Sequence, residues 1–223
     1  MTETTIRDQV DEFNVGFNAQ IGEELAAVFA GEQADLVREG IPTDTIAVGD
    51  RLPEVTVVTA EGDERRLADL LGAGPSVLIF YRGAWCPYCN IALRHYEATL
   101  VPQLAARGAT LVAVSPQTPE RSAFTQTSAE LSFPAVSDPA NTIGTALGIV
   151  TAPSAAAQQA HTALGFAVKD SNADDTPNVP FPTVLVLDSD GVVRFVDVHV
   201  DYTTRTETPE IVAALDELVA AAA

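Results

Sequence analysis

The chain has 223 residues, 47% of them hydrophobic, which suits one domain with a sizeable core, with or without an extension. Lys and Arg number 12 against 31 Asp and Glu, a formal net charge of −19. A field of this sign repels phosphate backbones and anionic lipid, so composition disfavours nucleic-acid and membrane-surface partners. Neither an apolar run of about eighteen residues nor a signal-peptide pattern is visible, so we expect a cytoplasmic protein.

The first predicted element is an amphipathic N-terminal helix. Apolar residues recur at spacings of three and four over residues 6–29, and Gly16 and Gly22 within this run suggest a break. The apolar face favours packing on the chain's own core; a dimerisation arm, and hence a homodimer, is the alternative. Residues 39–53 are rich in turn formers and predict a linker. We therefore assign residues 1–47 to an N-terminal helical extension and linker, and residues 48–223 to one domain.

Strands and helices alternate in that domain. Residues 76–81 (SVLIFY) and 109–116 are continuous apolar runs, typical of strands buried on both faces. The first run leads into a helix predicted over residues 87–107. Residues 55–67 and 183–200 each contain a turn between two strand-like runs and predict hairpins. This order predicts an α/β fold in which a central mixed sheet, with an antiparallel edge hairpin, is flanked by helices.

Three further helix starts follow from capping residues. Thr118 is a predicted N-cap with Pro119 at the first helical position, and Asp138 precedes a proline in the same way. The last helix is predicted to begin at Thr208. Between them, residues 150–182 hold an Ala-rich helical piece and a polar segment of a length typical of a lid or binding loop.

Both cysteines lie in one motif, WCPYC, directly after the first apolar strand. Cys86 would stand at the N-terminus of the following helix, where free N–H groups and the helix dipole stabilise a thiolate and lower its pKa. Pro87 fits the first helical turn. Cys89 lies one turn further on, on the same face and within disulfide reach. A nucleophilic thiolate beside a second thiol is the minimum apparatus for reversible thiol chemistry.

Three other interpretations of the pair compete with redox chemistry. A zinc site needs four ligands, but the chain has no second Cys pair and its 3 His are scattered. A structural disulfide around two intervening residues would close too short a loop to stabilise the fold much. Two inert core cysteines are disfavoured by the Trp and Pro that accompany them. The motif therefore predicts thiol chemistry without fixing the reaction, and it requires no metal or organic cofactor.

Other residues are expected near Cys86, because sites in open α/β sheets lie at the carboxyl ends of the strands. Arg82 would hold the thiolate or else be a solvated loop residue. Gln117 would donate a hydrogen bond to a substrate oxygen or cap the following turn. Pro182 stands where a cis proline would lie against the disulfide, or is an ordinary strand-entry proline. Trp85, the only tryptophan, directly precedes the motif's first cysteine.

A second polar cluster, residues 199–210, follows the second hairpin. It predicts a buried network with Arg205 as an anion or thiolate partner, or else a capping loop before the last helix. His95 is out of phase with Cys86 on its helix and is not expected to be catalytic.

Four spaced segments resemble the peroxiredoxin-like branch of the AhpC/TSA family, within the thioredoxin-fold superfamily. They are FYRGAWCPYCN, VAVSPQTPE, FPAVSDP and VDYTTRTETPEI, and the resemblance covers roughly residues 48–220. It implies a thioredoxin-like fold and a peroxidatic cysteine that becomes a sulfenic acid and is resolved by a second thiol. By position, Cys86 would attack, Cys89 would resolve, and Pro182 matches the place of the thioredoxin-fold cis proline.

The chain departs from both groups that it resembles. Typical peroxiredoxins carry Thr or Ser where Gly83 stands and Pro where Ile79 stands, and thioredoxins carry a buried Asp at the position of Phe80. The first hypothesis is a thiol-dependent peroxidase for hydrogen peroxide or organic hydroperoxides, with thioredoxin or a low-molecular-weight thiol as reductant. The second is a thiol–disulfide oxidoreductase acting on protein or small-molecule disulfides. The third is a non-enzymatic redox sensor or binding module.

Overall fold

A mixed β-sheet between two layers of helices forms the centre of the chain in the computed structural model, which describes residues 4–222. The strands are β1 (Thr56–Val58), β2 (Glu64–Arg66), β3 (Ser76–Phe80), β4 (Thr110–Ser115), β5 (Ala135–Ser137), β6 (Val150–Thr151), β7 (Val179–Pro180), β8 (Thr183–Leu187) and β9 (Val193–Val198). The helices are α1 (Ile6–Ile21), α2 (Glu23–Glu39), α3 (Leu67–Leu70), α4 (Pro87–Thr99), α5 (Val101–Leu104), α6 (Pro119–Ser128), α7 (Thr142–Ala146), α8 (Ala155–Ala163) and α9 (Thr208–Ala222).

Seven strands make one sheet in the order β2-β1-β5-β4-β3-β8-β9. Strands β3, β4 and β5 are parallel, whereas the β8–β9 hairpin joins β3 in antiparallel orientation, and β1 joins β5 in the same way. Strands β6 and β7 form a separate antiparallel pair. The predicted α/β fold, with a central mixed sheet and an antiparallel edge hairpin, is confirmed, as is the thioredoxin-like architecture.

The central strands are buried on both faces, which explains their continuous apolar sequence. Because side chains alternate along a strand, Val77 and Ile79 of β3 enter the core beneath α4, while Leu78 and Phe80 enter a second core that includes Ile143 of α7. Strands β3 and β4 end at the same edge of the sheet, since they run parallel in register. That edge carries the loop of residues 81–86, which leads into α4.

The N-terminal segment forms two helices that break at Gly22, one of the two glycines predicted to interrupt it, whereas Gly16 lies within α1. Gly22 has φ +83°, a conformation that residues with a Cβ rarely adopt. Ile6 and Val10 of α1 are buried in the domain's core, so this helix packs on its own chain. No helix among residues 4–222 combines the length and apolar character needed to cross a membrane.

Two predicted helices differ from expectation. The helix predicted over residues 87–107 ends at Thr99 and is followed by α5, because Pro102 has no N–H to continue the hydrogen-bond ladder. The side chain of Asp138 does not cap a helical turn that begins at Pro139, although the sequence predicts such a cap. Its carboxylate instead accepts hydrogen bonds from the backbone N–H of Ile143, at 3.0 and 3.1 Å from the two oxygens, at the start of α7.

Candidate functional site

The two cysteines lie where the sequence predicts them. Cys86 is the N-cap residue of α4, Pro87 is the first residue of that helix, and Cys89 follows within the first turn. Both thiols are free, and both residues are only 1% exposed. The site is therefore a reduced, buried thiol pair at the carboxyl edge of the sheet.

Arg205 contacts both sulfurs. Its Nη2 lies 3.0 Å from Cys89 Sγ and 3.9 Å from Cys86 Sγ. Its Nη1 donates to the carbonyl oxygens of Tyr202, at 2.7 Å, and Thr204, at 2.5 Å, which fixes the guanidinium in place. The loop before α9 thus places a buried cation beside the two cysteines. Of the two interpretations of this loop, the structure supports the thiolate partner over a loop that only caps the last helix.

The pKa shifts of the two thiols run opposite to the order predicted from the helix N-terminus. Burial and the hydrogen bond to Cys89 raise the pKa of Cys86 well above its ordinary value. Burial also opposes ionisation of Cys89, but the hydrogen bond from Cys86 and the charge of Arg205 outweigh it and hold the pKa of Cys89 well below its ordinary value. The helix N-terminus alone predicted a thiolate at Cys86; the closer guanidinium shifts the negative charge to Cys89.

Arg82 is buried rather than solvated, with 5% of its surface exposed. Its guanidinium carbon lies 4.0 Å from the ring centroid of Tyr202 and 4.9 Å from that of Trp85. Such cation–π contacts favour a desolvated guanidinium. Its charge favours the thiolate form of both cysteines.

Gln117 takes a different role from the two that the sequence suggested. It is fully buried, and its Oε1 accepts a hydrogen bond from the backbone N–H of Ala84 at 2.7 Å. Its Nε2 donates to Ser115 Oγ at 3.1 Å and to the Tyr81 hydroxyl at 3.2 Å. Its amide oxygen and nitrogen are thus both engaged inside the protein, and the N-cap of the next helix is Thr118. Gln117 instead anchors the loop that carries Cys86.

Gly83 has no room for the hydroxyl side chain that typical peroxiredoxins carry there. Its φ is +148°, and a Cβ on it would lie 2.5 Å from Trp85 Nε1 and 3.2 Å from Gln117 Oε1. The indole ring of Trp85 therefore takes the space that a Thr or Ser would need.

The cis proline predicted at Pro182 is not observed. No peptide bond among residues 4–222 is cis. The carbonyl of Pro182 accepts a hydrogen bond from the backbone N–H of His199 at 2.9 Å, and the ring lies with Arg82 and Tyr202 around a small cavity. Pro182 is thus a strand-entry proline, directly before β8, that packs near Arg82 and Tyr202.

The polar network predicted over residues 199–210 is present beside the pair. His199 Nε2 lies 2.9 Å from Asp197 Oδ2, and its Nδ1 lies 2.6 Å from Thr204 Oγ1. The hydrogen bond and then the charge of His199 lower the pKa of Asp197. These contacts hold the loop that presents Arg205. His95 lies apart, paired with Gln9 of α1 at 2.9 Å.

Two parts of the site have no local sequence motif. Glu32 of α2 is buried, and its carboxylate accepts hydrogen bonds from the Tyr202 hydroxyl, at 3.0 Å, and from Ser154 N–H, at 2.7 Å. His161 of α8 packs on Trp85, with ring centroids 5.5 Å apart. Both come from segments far from the cysteines along the chain, so only the tertiary fold brings them together. Within the segment 150–182, His161, Leu164 and Phe166 line a cavity beside Cys86, whereas the lid or binding loop assigned to the polar residues that follow stays a prediction.

Comparison with known proteins places the chain in a defined group. Residues 48–196, more than half of the chain, match the sequence profile of the AhpC/TSA family. A curated protein of Mycobacterium tuberculosis named "Putative peroxiredoxin" is 31% identical over 106 residues, which are 48% of this chain and 66% of that protein. The match thus spans slightly less than two thirds of the relative's length.

Solved structures show the same fold. A peroxidoxin from Mycobacterium tuberculosis aligns with a TM-score of 0.58 and 22% identity, covering 80% of this chain and 99% of that one. A reduced peroxiredoxin from Vibrio vulnificus, solved in complex with hydrogen peroxide, aligns with a TM-score of 0.61 and 22% identity, covering 77% and 99%.

Proposed function

Because this chain belongs to the AhpC/TSA family, we propose that it is a thiol-dependent peroxidase in which Cys86 attacks a hydroperoxide and Cys89 resolves the product. The observation that carries the proposal is the pair of free thiols held against Arg205, with Arg82 beside them. Two buried guanidiniums favour the thiolate form of the pair, and the thiolate is the form that attacks peroxides.

Access selects Cys86 as the attacking sulfur although Cys89 holds the charge at rest. Cys86 lines a cavity beside the site, whereas Cys89 does not line it. The two thiols share a hydrogen bond, so the Cys86 proton can pass to Cys89 as the substrate arrives. The charge then stands on the sulfur at the helix N-terminus.

The Cys86 thiolate attacks the outer oxygen of the hydroperoxide; the S–O bond forms, the O–O bond breaks, and the leaving alkoxide or hydroxide takes up the proton that Cys89 received, which makes Cys89 a thiolate again. Sulfur is oxidised to sulfenic acid as the peroxide is reduced. The Cys89 thiolate then displaces hydroxide from Cys86, giving a disulfide. Two electrons from a dithiol such as thioredoxin, or from two low-molecular-weight thiols, restore the reduced pair.

Rapid mixing with hydrogen peroxide tests this assignment. We expect the reduced protein to change its Trp85 fluorescence at a rate far above that of a free thiol. Cys86→Ser abolishes the reaction, whereas Cys89→Ser consumes one equivalent of peroxide and leaves a sulfenic acid that dimedone traps for mass spectrometry. Full turnover by Cys86→Ser, or a wild-type rate equal to that of a free thiol, would sink the assignment.

A second function is favoured by the charge distribution of the pair. A hydrogen-bonded dithiol in a Cys-X-X-Cys motif, with one pKa lowered, also suits exchange with disulfides. In that case the protein reduces insulin or a mixed disulfide without consuming peroxide. The two assays run side by side on one reduced sample separate the candidates.

A further inference from the structure

Glu32 is a carboxylate that the N-terminal helices contribute to the interior of the chain. It lies in α2, outside the residues 48–196 that match the family profile, and it is only 8% exposed. Burying a carboxylate is costly, and an apolar side chain of similar size often stabilises a protein interior as well or better. Packing alone thus gives no reason for a carboxylate at this position.

Both oxygens of Glu32 accept hydrogen bonds from other segments. Oε1 accepts from the backbone N–H of Ser154, the N-cap of α8, at 2.7 Å, and Oε2 accepts from the Tyr202 hydroxyl at 3.0 Å. Burial raises the pKa of Tyr202, so its hydroxyl keeps the proton that it donates. Glu32 therefore ties α2 to the loop before α9, 170 positions further along the chain.

Tyr202 in turn holds Arg82. The guanidinium carbon of Arg82 lies 4.0 Å from the ring centroid of Tyr202 and 4.9 Å from that of Trp85. Among residues 4–222, this guanidinium makes no hydrogen bond and no ion pair with a carboxylate, so the two aromatic faces set its position. A cation against a ring face is stabilised only while the ring keeps its place.

Arg82 is one of two cations that act on the thiol pair, the other being Arg205. Burial opposes ionisation of both thiols, and the charges of the two arginines act against that effect. Hydrogen bonds to carbonyl oxygens of its own loop fix Arg205, whereas Arg82 depends on Tyr202 and Trp85. A movement of the Tyr202 ring would therefore displace the charge of Arg82 and leave that of Arg205.

We propose that Glu32 is a positioning residue of the thiol site: through the Tyr202 hydroxyl it holds Arg82 where the guanidinium favours a thiolate. The inference rests on the function proposed above, since it takes the thiol pair as the reacting group. Glu32 acts through two other side chains rather than on the sulfurs. It makes the N-terminal extension a part of the active site.

Glu32→Ala separates this role from a direct effect of the carboxylate charge. Losing a negative charge near the site favours the thiolate, whereas releasing Tyr202 and Arg82 disfavours it. The second effect should dominate, because Arg82 lines the cavity at Cys86 and Glu32 does not. We expect thiolate formation, followed by its ultraviolet absorbance, to shift to higher pH, and alkylation by iodoacetamide at pH 7 to slow about fivefold. The emission of Trp85, which Arg82 contacts, should change as well.

Two further variants test the same chain of contacts. Tyr202→Phe breaks the hydrogen bond to Glu32 without changing a charge, so its thiolate should also form at higher pH. Glu32→Gln removes the charge but keeps both contacts, because the amide oxygen accepts from Ser154 N–H and the amide NH2 donates to the Tyr202 oxygen. Its thiolate should form at the wild-type pH or below. A role in folding alone would not produce these opposite directions.

Glu39→Ala, the loss of an exposed glutamate from the same helix, is the matched control and should titrate like the wild type. A titration of Glu32→Ala that is unchanged or moves to lower pH overturns the inference. If Glu32→Ala does not fold by circular dichroism, Tyr202→Phe compared with Glu32→Gln decides by the same criterion. No peroxide enters these measurements. The expected shifts in a protein that reacts with hydrogen peroxide no faster than a free thiol would thus remove the peroxidase function and leave the role of Glu32 standing.

Discussion

Arg205 decides where the negative charge of the thiol pair lies. Its Nη2 is nearly an ångström closer to Cys89 Sγ than to Cys86 Sγ, at 3.0 Å against 3.9 Å. No carboxylate forms an ion pair with it within residues 4–222, so the sulfurs are the anions that this buried cation stabilises. Removing its charge should therefore raise the pKa of the pair rather than only loosen the packing.

Arg205→Met keeps the length of the side chain and removes the charge. We expect thiolate formation, followed by its ultraviolet absorbance, to shift to higher pH by about one unit or more, and the rate with peroxide at pH 7 to fall on the order of tenfold. Arg205→Lys should retain part of the shift. Arg94→Met, an exposed arginine on α4, is the matched control and should titrate like the wild type. Equal titration of Arg205→Met and the control would contradict this role.

At the scale of elements, the conformation of the loop of residues 81–86 is set by its own contacts and not by the Thr or Ser that typical peroxiredoxins carry at the position of Gly83. Gln117 Oε1 holds Ala84 N–H, and the Trp85 ring covers Gly83. Restoring the family's hydroxyl at this point should therefore not improve the enzyme. The loop and its tryptophan form one unit.

Gly83→Thr tests that conclusion. Its Cβ would lie 2.5 Å from Trp85 Nε1, and its φ would stay in a range that threonine rarely adopts. We expect a loss of about 1–3 kcal/mol in the free energy of unfolding by urea, and a slower rather than faster peroxide reaction. Gly62→Thr, at a positive φ in an open turn, controls for the backbone effect alone, since nothing lies within 4 Å of its Cβ position. An equal loss in both variants would show that the tryptophan contact is immaterial.

The elements that the sequence predicts correctly are those with local causes. The apolar run of β3, the break at Gly22 and the cap at Thr118 each follow from a few adjacent residues. The break before α5 is not predicted, although its cause, Pro102, is local. The mixed sheet with its antiparallel edge hairpin also follows from the succession of elements, whereas the order of the strands in the sheet does not.

The site divides in the same way. Motif and spacing are enough to infer the roles of Cys86 and Cys89 and the closeness of Arg205. They do not predict which thiol has the lower pKa, because that depends on a difference of less than 1 Å between the distances from Arg205 Nη2 to the two sulfurs. Gln117 is predicted at the correct edge of the sheet, but its hydrogen bonds to Ala84 and Tyr81 depend on the tertiary fold. His161 and Glu32 come from segments whose approach to the cysteines only tertiary packing determines.

At the scale of the whole molecule, His161 joins three parts of the fold. Its ring packs 5.2 Å from Phe29 of α2, 5.5 Å from Trp85 of the cysteine loop, and 4.9 Å from Phe166, measured between centroids. This aromatic cluster ties the N-terminal helices and the 150–182 segment to the site. Burial, and then the charge of Arg82, lower the pKa of His161 from 6.5 to about 4.

That shift makes the stability of the whole chain depend on pH. Between pH 6.5 and 4 the unfolded chain binds a proton at His161 and the folded chain does not, so acid favours unfolding. His161→Phe removes this proton and keeps an aromatic ring in the cluster. Relative to that variant, we expect the wild type to lose on the order of 2 kcal/mol of unfolding free energy from pH 7 to pH 4.5, measured by urea denaturation. The carboxylates, which titrate in both proteins, cancel in the difference. Parallel pH profiles of the unfolding free energy for the two proteins would contradict a neutral, buried His161. A difference in unfolding free energy that appears only below pH 6.5 would identify His161 as the group through which acid loosens the N-terminal helices from the site.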